Sequence, residues 1–368
     1  MSESHDLSRI VREELSKLAR YEIPHPENIR VRLDANESPY PLPPELARAL
    51  GERLAHVDLN RYPDGDAREL RAVIARHAGV PAAQLVFGNG SDELIALVIQ
   101  AFARPRINAP GERARIAYPW PSFVVYRIAT AAAGAASAEI ALDEEFQLHG
   151  RAVDATFSQG KPNVVFFARP NNPTGTLWSR ELIVRVAEEY PDVLVVSDEA
   201  YFDYAGETLL DAQAHLPNLV VMRTLSKIGL AALRVGYLIA HPTVVHELEK
   251  IRPPYNLGSL NQAAAAFLVG EHAPVLKEHI ASIVRERERL SAALATVPDV
   301  KVFASKANLL MFRVGEAGKG AGAAMWQKLA ARGVLVRNFD RPGPLAGCLR
   351  VTVGTPSEND AFLEALRA

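Results

Sequence analysis

A single cysteine, Cys348, stands in a chain of 368 residues, so no disulfide can form within it. A lone thiol of this kind usually fills space in a core. Its isolation fits a reducing compartment, and a cytoplasmic location is expected. Charge of one sign is also lacking. The 41 Lys and Arg are balanced by 43 Asp and Glu, a formal net charge of -2, so neither a nucleic acid nor an anionic membrane is an expected partner. The 10 histidines form no HExxH pair and do not cluster with the cysteine, and no metal site is expected. Long apolar runs are missing too. The longest weakly polar stretch, Phe123 to Leu142, is interrupted by Arg127, Ser137 and Glu139, which predicts a buried helix plus a strand instead of a membrane span. The opening MSESHDLSRIVREELSKL has no apolar stretch of the kind a signal peptide needs.

At roughly 100–200 residues per domain, the chain is long enough for two domains sharing a cleft. Residues 7–20 carry apolar positions at helical spacing, and a proline-rich extended segment follows from Pro24 to Pro44. From about 46 to 240, short apolar segments alternate with longer helical ones. The expected strands are Leu85–Phe87, Arg115–Ala117, Val164–Phe167, Val193–Ser197, Leu219–Arg223 and Gly236–Ile239. Runs such as VVFF and VLVV show no polar alternation, as strands covered on both faces require. An α/β fold with a mainly parallel sheet follows. After Pro253-Pro254 a helical region over about 261–297 precedes strands near 300–304, 308–313 and 348–353, which reads as a smaller α+β domain. The expected division is an N-terminal arm (1–45) packing with the small domain, a large domain (46–245) and a small C-terminal domain (246–368).

In an open α/β sheet, ligands bind at the carboxyl ends of the strands. Four of the predicted ends carry distinctive groups. In LVFGNGSDELI, a glycine turn leads into a helix near Ser91 and Asp92. Free amides there would favour a phosphate, although Ser91 or Asp92 could equally be an ordinary N-cap. In VVFFARPNNPTG, Asn172 offers a donor to a ligand oxygen or simply makes an Asn-Pro turn. In VLVVSDEAY, Asp198 ends a buried strand, where an unpaired carboxylate is costly. It needs a cationic or protonated partner, either a pyridinium N–H or an arginine, and Tyr201 follows three residues on. In LVVMRTLSKIGLAALR, Lys227 has small and apolar neighbours, which favour the neutral amine that forms imines. Thr224, Ser226 and Arg234 add hydroxyls and a fixed cation suited to a phosphate dianion.

Jointly these groups match the needs of pyridoxal 5'-phosphate (PLP): an imine-forming lysine, a carboxylate for the ring nitrogen, donors for the ring 3'-oxygen (Asn172 and Tyr201) and a phosphate cradle. Lys227 would also shuttle a proton between the substrate and cofactor carbons.

The motifs NNPTG, SDEAY and TLSK with a following arginine resemble fold-type I aminotransferases over nearly the whole chain. LDANESPY, NRYPDGDARELR, GNGSDELI and CLRVTVGTPSEND are similar to the histidinol-phosphate aminotransferase branch of that family. The resemblance implies a ping-pong exchange of an amino group between L-histidinol phosphate and 2-oxoglutarate, in histidine biosynthesis, with PLP bound in a homodimer. By matched position, it implies that Phe123 stacks on the PLP ring and that Gly90, Ser91 and Asp92 form the phosphate turn. Tyr62 would reach across the dimer interface to the partner's PLP phosphate, and Arg350 would clamp the α-carboxylate of glutamate. Arg337 would help hold the substrate phosphate, with Tyr21 and Asn36 completing the substrate pocket. Two departures stand out. The segment from Lys227 to Arg234 is one residue shorter than the commoner family pattern, and Arg169 stands where many relatives have asparagine. Three alternatives remain beside this reading: an aromatic amino-acid aminotransferase, a PLP-dependent decarboxylase of a phosphorylated amino acid, and a PLP-binding regulator, for which the first 45 residues are short.

Overall fold

A computed structural model describes residues 10–16, 18, 26–105, 113–315 and 320–368. Twelve strands are present among the described residues: β1 (Val31–Leu33), β2 (Leu85–Asn89), β3 (Arg115–Trp120), β4 (Ala136–Ala141), β5 (Val164–Ala168), β6 (Leu194–Asp198), β7 (Leu219–Thr224), β8 (Val235–Ile239), β9 (Val300–Val302), β10 (Leu309–Val314), β11 (Val334–Asn338) and β12 (Cys348–Thr352). Seven form one sheet in the order β2-β8-β7-β6-β5-β3-β4. Strands β4, β3, β5, β6 and β7 run parallel, and β8 is antiparallel to both of its neighbours. Strand β2 therefore points the same way as β7.

The apolar runs of the sequence are explained by two cores, one on each face of this sheet. Val165, Phe167, Val195 and Val221 pack on one side. Val164, Phe166, Val196 and Val220 pack on the other. Alternate side chains enter different cores, so neither set is free to be polar. Strand β4 lies at the edge and does alternate, with Ala138 and Ile140 buried between exposed Ser137, Glu139 and Ala141. The helix Val124–Ala132 and β4 together account for the Phe123–Leu142 stretch. Among the described residues, no helix is long and apolar enough to cross a membrane.

The second sheet has the order β1-β11-β12-β10-β9, with β1 parallel to β11 and the other pairs antiparallel. Its core is built from Leu310, Phe312, Val336, Leu349, Val351 and Phe362. Several sequence expectations need correcting here. The helical region expected over 261–297 is two helices, Ser259–Gly270 and Ala273–Leu294, and Pro274 sits in the first turn of the second, where its missing N–H is harmless. Strand β11 was not anticipated, nor was a strand inside the proline-rich segment, where β1 adds an edge to this sheet. Of the helix expected over 7–20, the described part is Glu13–Ser16. Residues 1–9, 17 and 19–20 lie outside the described residues.

Candidate active site

Because β2, β3, β5, β6 and β7 point one way, their carboxyl ends share one edge of the large sheet. In register, Ala168 of β5 lies beside Asp198 of β6, and Asp198 lies beside Met222 of β7. A cleft of about 540 Å³ opens at this edge, lined by Ser91, Asp92, Phe123, Asn172, Asp198, Tyr201, Thr224, Ser226, Lys227 and Arg234 among others. Four widely separated sequence motifs therefore meet at one cleft.

Asp198 is only 4% exposed, and the arginine alternative for its partner does not apply. Its Oδ2 accepts a hydrogen bond from the Tyr126 hydroxyl at 2.5 Å, and its Oδ1 accepts the Ala200 amide at 3.2 Å. The nearby arginine, Arg223, is taken by the next carboxylate, Glu199, at 2.9 Å. Glu199 is satisfied further by Thr208 and the Leu209 amide. Burial pushes the Asp198 carboxyl up to about 6, against the hydrogen bond from Tyr126 and the attraction of Lys227. A buried carboxylate in that state gains most from a cation or N–H donor placed against it, which is what a pyridinium would supply.

Lys227 occupies a 3-10 turn, Leu225–Ile228, that follows directly from β7. The turn is pinned from below, since Tyr204 Oη donates to the Lys227 carbonyl at 2.5 Å. Lys227 Nζ lies over the Tyr201 ring, 5.8 Å from the centroid. Phe123 closes the opposite wall and meets Tyr126 edge-on, with centroids 5.7 Å apart.

The phosphate cradle is built by close backbone approach. Gly90 has φ +76, and its amide donates to the Arg234 carbonyl at 2.7 Å. A Cβ on Gly90 would lie 2.4 Å from Arg234 Nη2, and one on Gly236 would lie 2.6 Å from the Gly90 carbonyl carbon. The helix Gly90–Phe102 starts after Asn89, whose side chain makes no capping bond. Ser91 and Asp92 are thus inside the first turn, and the plain N-cap reading does not hold for them. Arg234 completes the cradle, with Nη1 3.4 Å from Ser226 Oγ and Nη2 3.2 Å from Asp92 Oδ2. The shortened stretch after Lys227 still returns Arg234 to this position. Two short 3-10 turns, with Gly229 at φ +100 and Arg234 at φ +51, reverse the chain within seven residues. A cluster of hydroxyls, amides at a helix start and one guanidinium suits a phosphate dianion.

The second sheet closes the outer side of the cleft. Arg350 on β12 donates to Asn172 Oδ1 at 2.7 Å and to the Asp34 carbonyl at 2.5 Å. Arg337 on β11 is its cross-strand partner, so the two arginines share a face. Asn36, buried with φ +56, donates to Tyr201 Oη at 2.9 Å and receives Thr352 Oγ1 at 3.3 Å. In this arrangement Tyr201 is held by Asn36, and Asn172 by Arg350. Tyr62 is not brought to the cleft of its own chain. It is 82% exposed and stacks on Tyr255, with centroids 4.7 Å apart. Tyr21 lies outside the described residues.

Sequence reasoning missed Tyr126, Tyr204 and the Asp34 carbonyl, because a tyrosine on an apolar helix face and a backbone oxygen carry no distinctive pattern. The role of Arg169 is also visible now. It is 1% exposed, donates to the Trp178 carbonyl at 2.8 Å and pairs with Glu207 at 2.6 Å, fixing the loop that presents Asn172.

The chain matches the family model for aminotransferases of class I and II over residues 28–366. It is 40% identical to a histidinol-phosphate aminotransferase of Chromobacterium violaceum over 363 residues, 98% of either chain. It is 41% identical to histidinol-phosphate aminotransferase 1 of Ralstonia nicotianae over 368 residues, 98% of this chain and 95% of that one. The crystal structure of histidinol-phosphate aminotransferase from Sinorhizobium meliloti in complex with pyridoxal-5'-phosphate superposes with a TM-score of 0.83, at 24% identity, covering 97% of this chain and 96% of that one. On these grounds the chain belongs to the class I and II aminotransferase family, alongside histidinol-phosphate aminotransferases.

Proposed function

We propose that this chain is a PLP-dependent aminotransferase that interconverts L-histidinol phosphate plus 2-oxoglutarate with imidazole-acetol phosphate plus L-glutamate, in histidine biosynthesis. The observation that carries the reading is the placement of Asp198, Lys227 and the Gly90–Arg234 cradle around one cleft of about 540 Å³. Bound there, PLP supplies an electron sink that stabilises negative charge on the substrate carbon.

The roles of the residues follow from their positions. Asp198 would hold the proton on the ring nitrogen, and the Tyr126 hydroxyl keeps the carboxylate oriented for that task. Phe123 would cover the ring, and Asn172 and Tyr201 would hydrogen-bond its 3'-oxygen. Gly90, Ser91, Asp92, Thr224, Ser226 and Arg234 hold the cofactor phosphate. Lys227 would hold the cofactor through its side-chain nitrogen and would serve as the group that moves a proton at the substrate carbon. Arg350 pairs with the substrate carboxylate, while Arg337, on the same sheet face, takes the phosphate of the other substrate. Each arginine accepts either anion, so one pocket can serve both half-reactions. Asn36, which donates to Tyr201, borders this pocket, and the family resemblance assigns Tyr21 to it as well. Exposed Tyr62 and its stack on Tyr255 support a homodimer in which Tyr62 reaches the partner's cofactor phosphate. The arm (1–45), large domain (46–245) and small domain (246–368) divide the work between closing the cleft and holding the cofactor, and the enzyme acts in the cytoplasm.

The test is a half-reaction with the PLP-loaded protein. Histidinol phosphate as sole amino donor should bleach the near-visible cofactor band and release imidazole-acetol phosphate, and 2-oxoglutarate should restore it. A higher kcat/KM for phenylalanine than for histidinol phosphate would overturn the substrate assignment. Carbon dioxide release without bleaching would overturn transamination.

A further inference from the structure

At the rim of the cleft, two guanidinium groups share one indole. Arg127 Cζ lies 5.9 Å from the Trp120 ring centroid, and Arg341 Cζ lies 5.3 Å from it. Trp120 is the last residue of β3 in the large sheet. Arg341 follows β11 of the second sheet, so the stack spans the two. Both ends of this bridge lead into the site. Two residues past Trp120, Ser122 donates to Asn171 at 2.7 Å, beside Asn172. Two residues before Arg341, the Phe339 ring lies 5.4 Å from Arg350 Cζ.

Neither arginine has a carboxylate within ion-pair distance among the described residues, whereas Arg169, Arg180 and Arg223 of the same large domain each do. Both reach the surface. The pair is close enough that partial burial and the charge of Arg127 hold Arg341 below the usual guanidinium range. Two like charges on one aromatic plate repel each other and are relieved by an anion between or above them. An indole face anchors such cations without neutralising them, leaving their N–H groups free for an incoming oxyanion.

We propose that Arg127 and Arg341, seated on Trp120, form an outer anion site that captures the phosphate group or second carboxylate of a dianionic substrate before it passes to Arg337 and Arg350. The proposal rests on the substrate reading above, which makes both amino-group partners strongly anionic. A second positive site at the mouth raises the local concentration of such molecules and their rate of entry. It also favours a phosphorylated amino donor over an uncharged one of similar shape.

The experiment compares the wild-type PLP-loaded enzyme with Arg127→Gln/Arg341→Gln, after circular dichroism melting has shown both to be folded. It reads the ratio of kcat/KM for histidinol phosphate to that for phenylalanine, across a range of ionic strength. The expected result is a fall of about tenfold in this ratio at low salt. The salt dependence for histidinol phosphate should be flatter in the variant, and competitive inhibition by inorganic phosphate weaker. An unchanged ratio, or equal losses for both donors, overturns the outer site. If the double variant melts early, Arg341→Gln alone is read in the same way. If the wild type itself prefers phenylalanine, the substrate reading falls separately. The site is then judged by 2-oxoglutarate against pyruvate, and an unchanged ratio of these two acceptors overturns it.

Discussion

Replacing Tyr126 with phenylalanine removes one hydroxyl and leaves the packing intact. The ring would still stack on Phe166, at 4.9 Å between centroids and 14° between planes, and would still meet Phe123 edge-on. What is lost is the 2.5 Å hydrogen bond to Asp198 Oδ2. A hydrogen bond to a charged group contributes about 1.5–3 kcal/mol, and about 1.4 kcal/mol corresponds to one pKa unit. The bond stabilises the ionised carboxylate, so its loss raises the affinity of Asp198 for a proton. Starting from about 6, the group should move up by about 1–2 units. Asp198 would then be partly neutral near pH 7 and a weaker partner for a protonated ring nitrogen.

The assay is the pH dependence of kcat/KM for glutamate, together with PLP affinity of the cofactor-free chain at each pH. The acid limb should shift upward by about one unit, and the loss relative to wild type should be largest below pH 7 and shrink toward pH 9. The cofactor-free chain supplies a second reading. The carboxyl is raised above its value of 3.8 in the unfolded chain, so the folded state binds more protons between the two values. Stability from this group is therefore present at low pH and lost as pH rises through about 6, and in the variant the loss should extend to higher pH. A uniform decrease at all pH values, or an acid limb that moves down, would refute the role given to Tyr126.

Two further predictions follow from the geometry. Gly90→Ala places a methyl against Arg234 and forces φ +76 on an alanine, at a cost of about 1–3 kcal/mol; PLP affinity measured by equilibrium dialysis should fall at least tenfold, and an unchanged affinity would mean that this turn does not hold the phosphate. Arg350→Lys cannot keep both the Asn172 bond at 2.7 Å and the Asp34 bond at 2.5 Å while presenting a fork to a carboxylate, so kcat/KM for glutamate should drop about 10–100-fold with little change in melting temperature; retention of the rate would assign carboxylate binding to another residue.

Much of the site is local in origin and so could be read from the chain. A buried parallel strand must be apolar throughout, and its carboxyl end is the first place where a polar side chain can stand. Phe167, Ser197 and Arg223 mark those ends, and Asn172, Asp198 and Lys227 follow them within a few residues. The two cores explain why these strands are legible without alternation. By contrast β1 and β11 were hidden. Strand β1 is only three residues long, and its pairing with β11 spans about 300 residues of chain, so no local pattern announces it.

The sequence by itself determined the α/β class, the order of the strand ends and the inventory of reactive groups, because each depends on residue type and nearby spacing. Tertiary structure alone decided which groups meet. It assigned Arg223 to Glu199 and left Asp198 to Tyr126, since a buried carboxylate is satisfied by whichever donor the packing delivers. It folded the short segment after Lys227 so that Arg234 closes on Gly90. It also set Arg350 against Asn172 and placed two arginines on one tryptophan across the cleft. Such contacts join residues far apart in the chain, and their partners are chosen by the shape of the packed molecule.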